Sequence, residues 1–227
     1  MRSPLAVICS AGENLADGVV DDAQRARQYG TVISNEGRRL TDMVEQVLAF
    51  AATQSGQRAY NLQNTDVVEV VESALCTFTS QIQQQQALVD VHINGPLPLI
   101  KGDASALRRA VQNVLSNALK YGRSPVRVTV DLIAAEPRHE IQISVADQGP
   151  GVAGTDLEHI FEPFYRGNNA IAAQAPGSGL GLHLVKHTVE AHGGRITVHN
   201  APGSGACFTL HLPVSADVAL LHNRQLV

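Results

Sequence analysis

Residues 177–194 read GSGLGLHLVKHTVEAHGG, in which Gly177, Gly179 and Gly181 alternate with Ser178 and Leu180 ahead of a helical pattern that begins at Leu182. Glycine lets backbone come close to a ligand, and a helix N-terminus offers N–H groups and a positive dipole end. Such a stretch can hold an anion, or it can be a tight connection and nothing more. It lacks the Lys-Ser/Thr ending of a Walker A loop. Upstream, Asn113 and Asn117 stand four residues apart in QNVLSNALKY, with Lys120 and Tyr121 just beyond. On a helix that spacing puts both amides on one face. Carboxamide oxygens are hard neutral ligands, suited to a magnesium ion that keeps waters and phosphates in its shell. Asp147-Gln-Gly-Pro-Gly151 combines a carboxylate acceptor with glycines that admit a flat ligand. Phe161-Glu-Pro-Phe-Tyr-Arg166 is an aromatic knot, and Phe161 and Phe164 are expected to be satellite core.

These residues need elements to carry them. Apolar periodicity predicts helices over 4–20 and 22–53, parted at Asp17-Gly18 to Asp21-Asp22. Tyr29, Ile33, Leu40, Met43, Val44, Val47 and Leu48 form the apolar stripe of the second helix. Two such helices make a hairpin, and its stripe needs a partner. A second copy completing a four-helix bundle is the simplest one. The polar stretch 54–60 reads as a hinge. Beyond it, one helix is expected over 66–86, a strand from Val89 to Ile93, and a helix from Ser105 to Lys120 with Leu107, Val111, Val114, Leu115 and Ala118 inward. Strands follow at Val126–Ile133 and Glu140–Ala146, then, after the glycine-rich helix, at Arg195–His199 and Cys207–Leu212, with a turn at Pro202 to Gly205. The fold class is α+β: a helical hairpin followed by an α/β sandwich with an antiparallel-looking sheet.

Composition narrows the function. A net charge of −4 with no dense Lys/Arg run argues against nucleic acid. The scattered Cys9, Cys76 and Cys207 suggest a reducing compartment and buried thiols rather than disulfides or zinc. No apolar run is long enough to span a bilayer, so no direct membrane contact is expected of this chain.

The order of the four motifs, from asparagine helix through Asp-Gly turn and aromatic knot to glycine-rich helix start, is more specific than any of them alone. In that order the sequence resembles the bacterial two-component sensor histidine kinases, from Arg2 to about Pro213. It looks like their catalytic core, a dimerisation and phosphotransfer hairpin (here 1–57) followed by a gyrase-like (Bergerat) ATP-binding domain (58–215) and a tail (216–227). QNVLSNALKY resembles the N box, DQGPG the G1 box, FEPFYR the F box and GSGLGL the G2 box.

The resemblance implies ATP and Mg²⁺ as cofactors. Asn117 and Asn113 resemble the metal-binding asparagines, Lys120 the phosphate-contacting base and Tyr121 the residue beside the adenine. Asp147 resembles the acceptor for the adenine amino group, and Gly149 and Gly151 the glycines of the adenine pocket. Gly177, Ser178, Gly179, Leu180, Gly181 and Leu182 resemble the phosphate loop. Residues 152–176, with Arg166 their one base, resemble the mobile lid. The implied partners are a second copy, through residues 4–53, and a response regulator receiver domain. The implied location is cytoplasmic, as part of a membrane-anchored sensor. The implied activity is ATP-dependent phosphorylation of a histidine; a non-catalytic ATP-binding dimeric signalling module is the alternative.

Three features depart from the family pattern. The chain opens Met1-Arg-Ser-Pro-Leu5 where the family has its acceptor histidine just upstream, so that histidine is expected to precede Met1. Ala206 stands where a threonine often helps hold the adenine, and with the base-poor lid it suggests weaker nucleotide binding.

Overall fold

A computed structural model describes residues 4–20, 22–56, 59–134, 139–167, 177–200 and 205–214. The tail at 216–227, the residues 168–176 of the lid stretch and 202–204 of the last turn lie outside the described residues. The chain divides into two compact units, Met1–Gln57 and Arg58–Val227.

The first unit is a hairpin of α1 (Pro4–Ala16) and α2 (Ala23–Gln54). The first helix stops short of the expected 20 because Gly18 turns left-handed, at φ 67°. Asp22 then caps α2, its carboxylate accepting from the Gln24 N–H at 2.9 Å. Val7, Ala11 and Asn14 of α1 face Gln28, Tyr29 and Val32 of α2. A helix of 13 residues covers only part of one of 32. No residue of α2 is buried within this chain, and Leu48 is 63% exposed, with Val44 and Val47 at 51% each.

The second unit holds a five-stranded sheet in the order β2-β4-β5-β7-β6, where β2 is Val89–Asn94, β4 Val126–Ile133, β5 Glu140–Ala146, β6 Arg195–Asn200 and β7 Ala206–Pro213. The sheet is mixed, not antiparallel throughout: β2 runs parallel to β4, and the other pairs are antiparallel. The parallel pair follows from a crossover through β3 (Ile100–Gly102) and α5 (Ala104–Tyr121). A second small sheet joins β3 to β1 (Gln63–Thr65), two strands too short to leave an alternating pattern.

Strand alternation sorts the main sheet into two faces. Val126, Val128 and Val130, Ile141, Ile143 and Val145, and Phe208, Leu210 and Leu212 are buried in the core, together with Leu107, Val111, Val114, Leu115 and Ala118 of α5. α3 (Val67–Cys76) and α6 (Gly181–Ala191) flank α5. The other face is polar. There the Ser144 and Thr209 hydroxyls share a hydrogen bond of 2.9 Å, and Glu140 pairs with Arg195 and meets His211 Nδ1 at 3.3 Å.

One expected helix, 66–86, is broken into α3 and α4 (Thr79–Gln85). Phe78 leaves helical geometry, at φ −99° and ψ 1°, and its ring packs on the core. The Thr79 hydroxyl donates to the Cys76 carbonyl at 3.0 Å, closing the broken turn locally. The expectation of buried thiols also fails: Cys9 and Cys76 are exposed, and Cys207 is half-buried. Cys9 lies on a helix with a single buried position, Ala11, and Cys76 ends α3 outside its buried set of Val67, Val70, Val71 and Ala74.

The start of α5 is held tightly. Asp103 Oδ1 accepts from the N–H groups of Ser105 and Ala106, both at 3.0 Å, and Oδ2 accepts from the Asn61 N–H at 3.2 Å. Asp103 N–H donates to Nε2 of the buried His192 at 2.9 Å, while His192 Nδ1–H donates to the Thr188 carbonyl at 2.7 Å. The Thr65 hydroxyl donates to the Gly102 carbonyl at 2.7 Å. These bonds join α5 to α6 and to the small sheet.

Burial alone would raise the Asp103 carboxyl, but hydrogen bonds from Ala106, Ser105 and Asn61 outweigh it and hold the carboxyl below its ordinary value. Because the folded value is depressed, the cap's contribution is complete above about pH 4 and is lost as pH falls through the lowered value. Asp103→Ala should therefore cost about 1–2 kcal/mol at pH 7. Urea unfolding followed by circular dichroism should show the gap between variant and wild type narrowing in acid.

Candidate nucleotide site

α5 carries the two asparagines because its inward positions are apolar and its rim is not. Asn113 and Asn117 are half-buried beside the buried Val114 and Ala118, Lys120 is exposed in the last turn, and Tyr121 ends the helix. Asn113 Oδ1 lies against the start of α6: a Cβ added at Gly181 would stand 3.2 Å from it. The phenol of Tyr121 reaches the same loop, 3.2 Å from where a Cβ at Gly177 would be.

Asp147 follows β5 and is 9% exposed. Its N–H donates to the Ala206 carbonyl at 3.0 Å, and its Oδ1 accepts from the Gly149 N–H at 2.7 Å. Glycines enclose it. A Cβ at Gly122 would fall 2.4 Å from Asp147 Cβ, one at Gly149 would fall 2.9 Å from Oδ1, and one at Gly205 would overlap the Asp147 carbonyl at 1.8 Å. Real Cβ atoms do not approach so closely, so these positions require glycine. Burial raises the Asp147 carboxyl above its ordinary value, against hydrogen bonds from Gly149 and Ala206 that lower it. Two backbone donors leave lone pairs of the carboxylate with which it can accept from a ligand.

The glycine-rich stretch makes the rest of the wall. Gly179 turns left-handed at φ 74°, and the Leu180 N–H donates to the Ser178 hydroxyl at 3.1 Å. Leu180 is fully buried and anchors the start of α6, where no side chain caps the helix. Leu182 follows in the first turn, half-buried on the rim of the core. An uncapped start leaves backbone N–H groups for an anion. Phe164 is locked onto this stretch: its N–H donates to the Gly179 carbonyl at 3.0 Å, and a Cβ at Gly179 would strike the Phe164 backbone at 2.6 Å. Phe164 itself is left-handed at φ 64° and 60% exposed. Phe161 packs against the core as expected, whereas Phe164 does not, because its backbone is held to the glycines and its ring is turned out. Tyr165 donates to Asp156 Oδ1 at 3.0 Å, and Arg166 follows, half-buried.

Asparagine helix, carboxylate turn and glycine-rich helix start are thus brought together by close approaches: Asn113 to Gly181, Tyr121 to Gly177 and Gly149, and Gly149 to Asp147. Gly151 lies at the outer end of the carboxylate turn, at φ 71°. Sequence reasoning missed Gly122 and Asn200. A glycine just after a helix reads as an ordinary terminator, and an asparagine at a strand end as an ordinary turn residue. Among the described residues, no cluster of three or more His, Cys, Asp or Glu could hold a metal. Amide oxygens such as those of Asn113, which lies against Gly181, and Asn117, one turn further along the same helix, are a donor type that fits a hydrated magnesium ion.

Comparison with known proteins agrees with this geometry. Residues 102–216 match the family described as histidine kinase-, DNA gyrase B- and HSP90-like ATPase. The sensor-like histidine kinase SenX3 of Mycobacterium tuberculosis (strain ATCC 25618 / H37Rv) is 33% identical over 214 residues, which is 94% of this chain and 51% of that protein. The chain therefore spans about half the length of that relative. Among solved structures, the Acinetobacter baumannii histidine kinase AdeS shares the fold, with a TM-score of 0.71 at 21% identity over 94% of this chain and 96% of that one. The mycobacterial sensor histidine kinase MprB matches 66% of this chain and 97% of its own at 32% identity, with a TM-score of 0.56.

The crowding at Asp147 has a consequence. Gly122→Ala should push the carboxylate aside and, by losing one charged hydrogen bond, weaken ATP binding about tenfold or more, whereas Ala at Gly154, where a Cβ meets nothing within 4 Å, should not. Adenosine affinity should fall as pH drops through the raised Asp147 value, with onset above the ordinary carboxylate midpoint of about 4. Calorimetric titrations across pH check both points. The family match, the mixed sheet and the site it carries make the chain a member of the histidine kinase-, gyrase- and HSP90-like ATPases, matching the catalytic core of sensor histidine kinases.

Proposed function

We propose that the chain is the Mg-ATP-binding kinase core of a two-component sensor, phosphorylating a histidine whose phosphoryl group then passes to an aspartate of a response regulator. The single observation that carries this reading is the buried Asp147 carboxylate, raised by desolvation and enclosed by glycines, on a turn that packs against the end of α5, the helix whose Asn113 meets the uncapped start of α6. A flat base with an amino donor at one end and phosphates at the other fits that arrangement.

In this reading Asp147 accepts from the adenine amino group, and Gly149 and Gly151 let the base lie along the backbone. Tyr121 flanks the base. The N–H groups about Gly177, Gly179 and the first turn of α6 meet the phosphates, with Lys120 and Arg166 adding positive charge. Asn113 and Asn117 hold Mg²⁺, which when bound neutralises phosphate charge. The protein's share in phosphoryl transfer is then positioning and charge compensation, with no covalent intermediate on this domain. An imidazole nitrogen attacks the γ-phosphorus and ADP leaves.

The hairpin serves this chemistry as a homodimer. The exposed Val44, Val47 and Leu48 of α2 support a four-helix bundle formed with a second copy through residues 4–53. The partner in signalling is a receiver domain. The proposed location is the cytoplasmic part of a membrane-anchored sensor; among the described residues no helix is long and apolar enough to cross a membrane.

The chain's histidines begin at His92. Adding His-Glu ahead of Met1, with a few residues to start the helix, should give acid-labile label from γ-labelled ATP, and Asn117→Asp or Mg²⁺ removal should abolish it. Loss of labelling in neither case would contradict the assigned roles. Val44→Glu with Leu48→Glu should convert a dimer into monomers with an intact second unit, as read by light scattering and circular dichroism.

A further inference from the structure

The side chain of Asn200, the last residue of β6, makes both hydrogen bonds that a neighbouring strand would make. Its Oδ1 accepts from the Val152 N–H at 2.8 Å, and its Nδ2 donates to the Val152 carbonyl at 2.7 Å. Val152 is the residue after the DQGPG turn. At the turn's other end, Gln148 N–H donates to the Arg123 carbonyl at 3.0 Å. The turn carrying Gly149 and Gly151 is therefore pinned on both sides. Gly151 fits beneath the clasp only because it has no side chain: a Cβ there would stand 2.7 Å from Asn200 Oδ1 and 3.2 Å from the Gly205 carbonyl, and its φ of 71° is left-handed. Asn200 pairs in register with Ala206, whose carbonyl receives the Asp147 N–H at 3.0 Å. A single amide thus joins the strand end behind Asp147 to the far end of the turn in front of it.

We propose that Asn200 is a positioning residue for the nucleotide: it fixes the Gly149–Gly151 wall of the base pocket and sets the point from which the following segment departs. This rests on the nucleotide-binding reading. The chemistry is specific to asparagine. Aspartate keeps the acceptor for the Val152 N–H but faces the Val152 carbonyl with a second acceptor. Alanine removes both bonds. Glutamine is one methylene too long to close the same pair.

The effect belongs to the base end of the ligand. It should therefore be the same for ADP without Mg²⁺ as for Mg-ATP, unlike the effect of altering Asn113 or Asn117.

The test uses the full chain with Asn200→Ala and Asn200→Asp. Three quantities are measured: affinity for ADP and for Mg-ATP by calorimetry, nucleotide dissociation rate by stopped flow, and amide exchange at Val152. The expected result is affinity reduced about five- to tenfold in the alanine variant, the loss appearing in the dissociation rate, with the aspartate variant between it and wild type. Val152 exchange should quicken in the same order, with circular dichroism unchanged. Affinity within twofold of wild type in the alanine variant would overturn the proposal. So would an aspartate variant as damaged as the alanine one; if alanine prevents folding, an aspartate variant with wild-type affinity and wild-type Val152 exchange overturns it. A wild-type chain that binds no adenine nucleotide would instead overturn the function reading, and unchanged Val152 exchange in the variants would still refute the clasp.

Discussion

Everything at this site depends on how closely backbone approaches one buried carboxylate. Asp147 has glycine at positions 122, 149 and 205 because any Cβ there would lie within 3 Å of it. Those glycines belong to the end of α5, the turn after β5 and the entry to β7, elements far apart in the chain. Packing them without side chains brings the helix of Asn113 and Asn117 against the carboxylate turn. The same closeness takes water from the carboxyl and raises its pKa. Steric exclusion and electrostatic preparation are thus one arrangement, not two.

The remainder of the second unit keeps that arrangement in place. A two-layer domain leaves one sheet face apolar under its helices, and the apolar stripe of α5 orients Asn113 and Asn117 along the rim. Asp103 and His192 fix where α5 begins, so the asparagines come at a defined height above the sheet. At the other end, the locking of Phe164 to Gly179 ties the aromatic knot to the glycine-rich helix start. A left-handed non-glycine residue is costly, by about 1–3 kcal/mol, and persists where surroundings impose it.

Legibility in the sequence followed the range of the interaction concerned. Val126–Ile133 and Glu140–Ala146 were readable to the residue because each alternates against a single buried face. The inward face of α5 was readable for the same reason, and the four motifs were readable from their order. The break at Phe78 was not, since helical periodicity runs through it and only packing of the ring decides the turn. The parallel pairing of β2 was hidden because an edge strand's direction is set by the crossover, not by its own residues. Gly122 and Asn200 were hidden because their roles lie in contacts with Asp147 and Val152, at separations that no local pattern records. The exposure of Cys9 and Cys76 shows the limit of residue averages: each sits on the outer side of an amphipathic helix.

The central claim is that the Asp147 carboxylate is the acceptor that selects an adenine nucleotide. Calorimetric titration of Mg-ATP into the wild-type chain and into Asp147→Asn tests it most directly. A charged hydrogen bond is worth about 1.5–3 kcal/mol, so the variant should bind about tenfold or more weakly. It should do so without loss of thermal stability, because a carboxyl raised by burial opposes folding while it is ionised. Equal affinity in the two proteins, with both folded, would contradict the account.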